Sequence, residues 1–294
     1  MFQRSKYKDL PPGQLPNDPD LVGTEKFDGA SFFVPVASDG SLRFFSRRPS
    51  VKGGFPDRTE SLPHLTAKKL PQYAGNVYNV ELIHTGHHKD APESHRMVSG
   101  ILNSLSPRAV VTQAATGPIR AVLHNVINPE LPTFGDKLKH MKEVEEAFGN
   151  PDVFFVVKHV EGPKAIQQLA AQTKAAGREG VIVTSSTESE NTNVRWKIKH
   201  KIQHNLRVVR VLQEFDKDGK PKPSMGSLVC EDANGKEVAQ VGSGFSKAQR
   251  ADAWENPKDW IGKPIQVESM GLAVGKLRMP IYNGDADGEL DAVL

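Results

Sequence analysis

What most limits the fold of this chain is a change of pattern near residue 200. From Arg207 onward the apolar residues come in short runs near 207–214, 226–231, 237–241 and 264–270, with one helix-like stretch at 246–254. Each run can bury one face of a strand, because strand side chains alternate with period two. Roughly ninety residues of short strands with a single helix fit a small barrel such as an OB fold. Upstream, helical spacing over about 93–105, 137–148 and 164–176 is interleaved with strand-like segments. These lie at 30–36, 42–45, 76–83, 110–111, 121–127, 153–160, 180–184 and 194–199. Asp39-Gly40 between the first two apolar runs predicts a hairpin, and Gly177 predicts a helix C-terminal cap. Residues 9–19, with four prolines and a glycine, read as an irregular lead-in. The expected organisation is an α+β domain over residues 1–202 followed by a β-barrel domain over 203–294.

A chain of 294 residues suffices for one large and one small core. The 38 basic against 35 acidic residues leave +3, which permits a nucleic-acid partner without requiring one. Cys230 is the only cysteine, which excludes an intramolecular disulfide and a multi-cysteine zinc site and suits a reducing cytoplasm. No stretch approaches the roughly 20 apolar residues that span a bilayer, so no membrane partner is expected. His84, His87 and His88, with His95 nearby, read as a polar loop, since no cysteine or HExxH helix accompanies them.

The sharpest local feature is Glu25-Lys26-Phe27-Asp28-Gly29. Alone it is weak, and a turn with a solvated lysine is the plain reading. The chemical reading is a nucleophilic amine in a loop whose glycine permits close approach of a nucleotide. An amine that attacks an α-phosphate must shed its proton, although a free lysine titrates near 10.4. Its surroundings must therefore supply burial or cations, carboxylates for a metal and a ribose, a flat group for the base, and further cations for phosphate.

Candidates for each follow in a fixed order, and the chain resembles the covalent nucleotidyltransferase superfamily of ATP-dependent DNA ligases, RNA ligases and capping enzymes. Lys26-Phe27-Asp28-Gly29 is similar to its first motif and Ser46-Arg47 to the next. Asn79-Val80-Glu81-Leu82 resembles the third, and 121–127 the strand that sets an aromatic against adenine, with His124 in that place. Arg178-Glu179-Gly180-Val181-Ile182 resembles the fourth, and Trp196-Lys197-Ile198-Lys199 the fifth. Lys197 and Lys199 fall on one face of a strand, so both can address a common phosphate. In the barrel region 226–229, 234–236 and 241–246, then Arg278-Met279-Pro280, resemble the OB domain of DNA ligases.

The resemblance implies an ATP-grasp-like nucleotidyltransferase domain of antiparallel sheets with flanking helices, followed by a C-terminal OB-fold barrel, as in compact bacteriophage and small bacterial ligases. It implies Lys26 as the adenylylated nucleophile, with Thr24, Glu25, Arg47, Glu81, His124, Lys197 and Lys199 binding ATP, and Glu81 and Glu179 holding Mg²⁺. The expected partner is nicked duplex DNA, bound largely through its backbone by a monomer, in the host cytoplasm if the gene is a phage's. An RNA ligase, or a ligase scaffold impaired in catalysis, are the alternatives. Three positions depart from the family pattern. Ser31 stands where an arginine is common, His124-Asn125 where Phe or Tyr followed by Asp is common, and the acidic run 281–288 where a basic cluster normally orients pyrophosphate. A histidine against the base is expected to make binding sensitive to pH.

Overall fold

The computed structural model describes residues 7–10, 14–51, 53–84, 91–189 and 195–293. It divides into two compact units, Met1–Lys199 and His200–Leu294. The first contains β1 (Tyr7–Asp9), β2 (Leu21–Lys26), β3 (Ala30–Pro35), β4 (Phe45–Ser46), α1 (Pro63–Thr66), β5 (Val77–His84), α2 (Ala91–Leu102) and α3 (Ser106–Thr116). It continues through β6 (Ile119–Ile127), α4 (Phe134–Phe148), β7 (Phe154–Val156), β8 (His159–Glu161), α5 (Pro163–Ala175), β9 (Gly180–Ser185) and β10 (Arg195–Lys199). Two five-stranded sheets result, ordered β1-β10-β9-β2-β8 and β4-β3-β5-β6-β7. All pairs are antiparallel except β1 with β10 and β6 with β7.

Strand alternation decides what each sheet buries and what it leaves for chemistry. On β5, Tyr78, Val80 and Leu82 enter the main core with Val98 and Ile101 of α2 and Met141 and Val144 of α4. Asn79, Glu81 and Ile83 therefore occupy the other face. On β2, Leu21 packs with Ile166 of α5, and a Cβ on Gly23 would lie 2.8 Å from that isoleucine. The odd positions of β2 thus face α5, and Thr24 and Lys26 face away from it. Helix α4 is held at its start by a reciprocal pair of bonds between Thr133 and Asp136 and ends at Gly149 in the left-handed region.

The second unit contains β11 (Ile202–Phe215), β12 (Pro221–Glu231), β13 (Glu237–Val241), α6 (Lys247–Glu255), α7 (Pro257–Trp260), β14 (Pro264–Ser269), β15 (Leu272–Ala273), β16 (Lys276–Leu277) and β17 (Ile281–Asp285). Its main sheet runs β13-β12-β11-β14-β17, and a parallel bridge from Ser243 to Ile281 joins the two ends into a barrel. Register shifts along β11 let that long strand curve. Phe245, Trp254, Trp260 and Tyr282 belong to the barrel core, with Phe245 stacked on Tyr282 at 4.4 Å.

The Asp39-Gly40 turn joins paired strands as expected, with Gly40 at φ 81°. Val110 and Val111, read as strand-like, lie in α3, where Pro107 in the first turn supplies a helix start. The single strand expected at 153–160 is two short strands, one in each sheet. Tyr7–Asp9 pairs with β10, so the lead-in begins as a strand. Much of the acidic run 281–288 is β17, where Asp285 takes Lys263 at 2.7 Å and the Tyr282 hydroxyl at 3.0 Å. Among the described residues no helix is long and apolar enough to cross a membrane.

Candidate active site

The site is assembled by strand register. Lys26 on β2 pairs with Gly180 on β9, which pairs with Lys199 on β10. Thr24 pairs with Ile182, which pairs with Lys197. Directly paired residues point to the same side of a sheet, so Thr24, Lys26, Lys197 and Lys199 share the face turned away from α5. Lys197 Nζ lies 3.6 Å from Asp9 and 5.8 Å from the centre of the Tyr7 ring. Glu25 points to the opposite face, where Arg178 Nη1 donates to it at 2.6 Å. Its side chain is therefore not gathered with the others.

Lys26 Nζ contacts Glu179 Oε1 at 2.5 Å, and both side chains are largely buried. Glu81 faces the same amine from β5. Burial pushes its carboxyl up to about 7, helped by the nearby Glu179 charge and opposed by Lys26, Arg47 and the Gly29 amide. That amide donates to Glu81 Oε1 at 3.1 Å. A Cβ at Gly29 would fall 2.2 Å from the Leu82 carbonyl oxygen, so only glycine lets this loop lie against β5. Arg47 is placed by its own amide, which donates to the Ser31 carbonyl at 3.0 Å.

His124 owes its position to a bulge. Asn79 pairs with Asn125 and Val80 with Leu123, which leaves His124 as the extra residue of β6. Bulges re-aim a side chain in this way beside many active sites. Burial, with Arg195, Arg47 and Lys26 around it, holds the imidazole down at about 4. The ring is neutral over the usual working range, which removes the pH sensitivity expected of a histidine against the base.

Two features were missed in the sequence. Arg195 is buried on the same strand face as Lys197, and strand alternation alone could have placed it there. His95, read as part of a polar loop, binds the Gly29 carbonyl at 2.6 Å, and its separation of 66 residues left no local signal. His84 is buried against Thr116. Thr85 to Asp90, with His87 and His88, lie outside the described residues. Among the described residues no group of three or more His, Cys, Asp or Glu is placed to hold a metal ion.

Glu81 and Glu179 nevertheless suit Mg²⁺, which commonly takes one or two carboxylates together with substrate phosphates. The Asn79 Oδ1 atom is buried on the cleft side of β5 with no hydrogen-bond partner among the described residues, an acceptor that a nucleotide donor could satisfy. A cavity of about 720 Å³ also adjoins Lys26 and Glu179. Glu25, Phe155, Lys158 and Arg178 line it, whereas Thr24, Glu81, His124, Lys197 and Lys199 do not.

Comparison with known proteins agrees with this architecture. Residues 218–284 match the family described as the DNA ligase OB-like domain. No curated protein sequence matches the chain. Among solved structures, one of the Lig E DNA ligases, described as binding DNA with a minimal scaffold, superposes with a TM-score of 0.70 at 18% identity over 97% of this chain and 100% of that one. Two structures designated Pmar-Lig_PreS3 and Pmar-Lig_Pre superpose at 0.65 and 0.64, with 15% and 17% identity, each over 90% of this chain. This chain spans 63% and 62% of their lengths. The chain thus has the fold of the compact DNA ligases, a nucleotidyltransferase domain followed by a DNA ligase OB-like domain.

Proposed function

We propose that the protein is an ATP-dependent DNA ligase that seals nicks in duplex DNA through a lysyl-AMP intermediate. The observation that carries this reading is the convergence of Lys26, Glu179 and Glu81 at the end of a strand row that also presents Lys199. The DNA ligase OB-like match at residues 218–284 favours DNA over an RNA substrate.

In the first step the Lys26 Nζ lone pair forms a bond to the α-phosphorus of ATP, and the bond to pyrophosphate breaks with its electron pair leaving on pyrophosphate. Glu179, 2.5 Å from Nζ, holds the ammonium at rest and stands where the departing proton can be received. Lys197 and Lys199 face the α-phosphate from β10, one strand beyond β9, and neutral His124 offers a flat surface to adenine. Mg²⁺, held by Glu81 and Glu179 with the substrate phosphates, would neutralise charge on the phosphate oxygens. AMP then passes to a 5′-phosphate, and a 3′-hydroxyl displaces it to close the phosphodiester.

Incubation with Mg²⁺ and α-labelled ATP tests the nucleophile. The parent should form an acid-labile protein-AMP adduct, and Lys26→Ala should form none. An adduct that persists in Lys26→Ala would overturn the assignment, and preferential sealing of nicked RNA over nicked DNA would overturn the substrate.

A further inference from the structure

Gly29 is gripped from two sides. Its N–H donates to Glu81 Oε1 at 3.1 Å, and its carbonyl, in the next peptide, lies 2.6 Å from His95 Nδ1 on α2. A carbonyl can only accept, so Nδ1 carries the proton in this contact. The loop has no slack in the third direction either, because the space beside Gly29 is filled by the Leu82 backbone and Ile83. Lys26 sits three residues upstream at the end of β2. One loop therefore fixes both the amine and the carboxylate facing it, and on the carbonyl side of Gly29 an imidazole tethers it.

We propose that His95 is a positioning residue for the reactive lysine: by holding the Gly29 carbonyl it sets the loop that aims Lys26 and orients Glu81. This rests on the ligase reading above. His95 acts through the loop and not on the reacting atoms, since its Nδ1 is engaged by the Gly29 carbonyl. Its effect is on geometry, and displacements of about 1 Å at a reacting centre can cost on the order of 100-fold in rate.

The test compares His95→Leu, which removes the donor, with His95→Asn, whose amide nitrogen can stand near Nδ1. Single-turnover formation of the Lys26 adduct is measured over a range of ATP concentrations, beside the thermal midpoint of each variant. His95→Leu should lower the maximal rate by about 10- to 100-fold and raise the ATP concentration for half-maximal rate. His95→Asn should return both to within about threefold of the parent. A purely structural role would instead lower the midpoint of both variants and leave the folded fraction equally fast. Parent-like rates in His95→Leu, or equal losses in the two variants, would overturn the proposal. A second readout needs no activity: in the free protein the ¹⁵N resonance of His95 Nδ1 should be that of a protonated ring nitrogen, and a bare Nδ1 would overturn the proposal whether or not the parent forms an adduct. Absence of adduct in the parent with a protonated Nδ1 would count against the ligase reading and leave the clamp standing.

Discussion

Acid should loosen the first unit through His124, and the size of the effect follows from its surroundings. Burial and the charges of Arg195, Arg47 and Lys26 hold the folded imidazole at about 4, against an ordinary value of 6.5. As pH falls, the unfolded chain takes up the proton first. The stability linked to this group is complete above the unfolded value and is lost as pH drops from 6.5 toward 4. At 1.36 kcal/mol per pH unit of displacement the whole effect is about 3 kcal/mol, of which about 2 kcal/mol is gone by pH 4.5. His124→Phe keeps a ring at the bulge and removes the titration. Hydrogen exchange of peptides spanning β6, followed in increasing urea at pH 7 and pH 4.5, reads this unit without interference from the barrel. The parent should lose about 2 kcal/mol more than His124→Phe between the two pH values. Equal losses would mean that the ring is solvated, or that the three cations lie farther away than the fold implies, and the argument would fail. The same neutrality predicts that ATP affinity changes little between pH 6 and 8 for reasons of stacking.

Gly180→Ala should cost about 3 kcal/mol or more in urea unfolding and abolish adduct formation. Its Cβ would lie 1.9 Å from the Ile198 carbonyl oxygen, at a residue whose φ is 147°. The Cys230 thiol, fully buried and pushed by burial up to about 12, should react with a thiol reagent at least about 100-fold more slowly in the native protein than in urea. Rapid native labelling would mean that β12 opens locally.

The features legible in the sequence were those set by alternation and by short-range turn chemistry. The barrel followed from its short runs, the first hairpin from Asp39-Gly40, and the shared face of Lys197 and Lys199 from their spacing. Two residues are too few to define an element: Val110 and Val111 are β-branched, yet the Ser106-Pro107 start and the following turns commit them to α3. The run 153–160 reads as one strand because both halves are apolar, and nothing local reports that β7 and β8 join different sheets. The bulge at His124 was equally hidden. A bulge is a mismatch between two strands, and only their pairing shows which residue is left over. His95 and Arg178 act through partners 66 and 153 positions away, so their roles exist only in the folded chain.

That dependence on pairing gives the site its sharpest constraint. Lys26, Gly180 and Lys199 form one row across three strands, and Thr24, Ile182 and Lys197 form the next. A slip of one residue between β2 and β9 would carry Lys26 to the α5 side and bring Glu25 to the cleft, which places an acid where the proposed nucleophile stands. The packing opposes that slip on the α5 side, where Gly23 leaves room for Ile166 and any other residue would meet it at 2.8 Å. The Glu25–Arg178 ion pair opposes it as well, since it can form only while Glu25 faces away from Lys26. The acidic neighbour of Lys26 is therefore part of what holds that lysine in place. Charge reversal at Arg178 would act on the register of β2 before it acted on any phosphate.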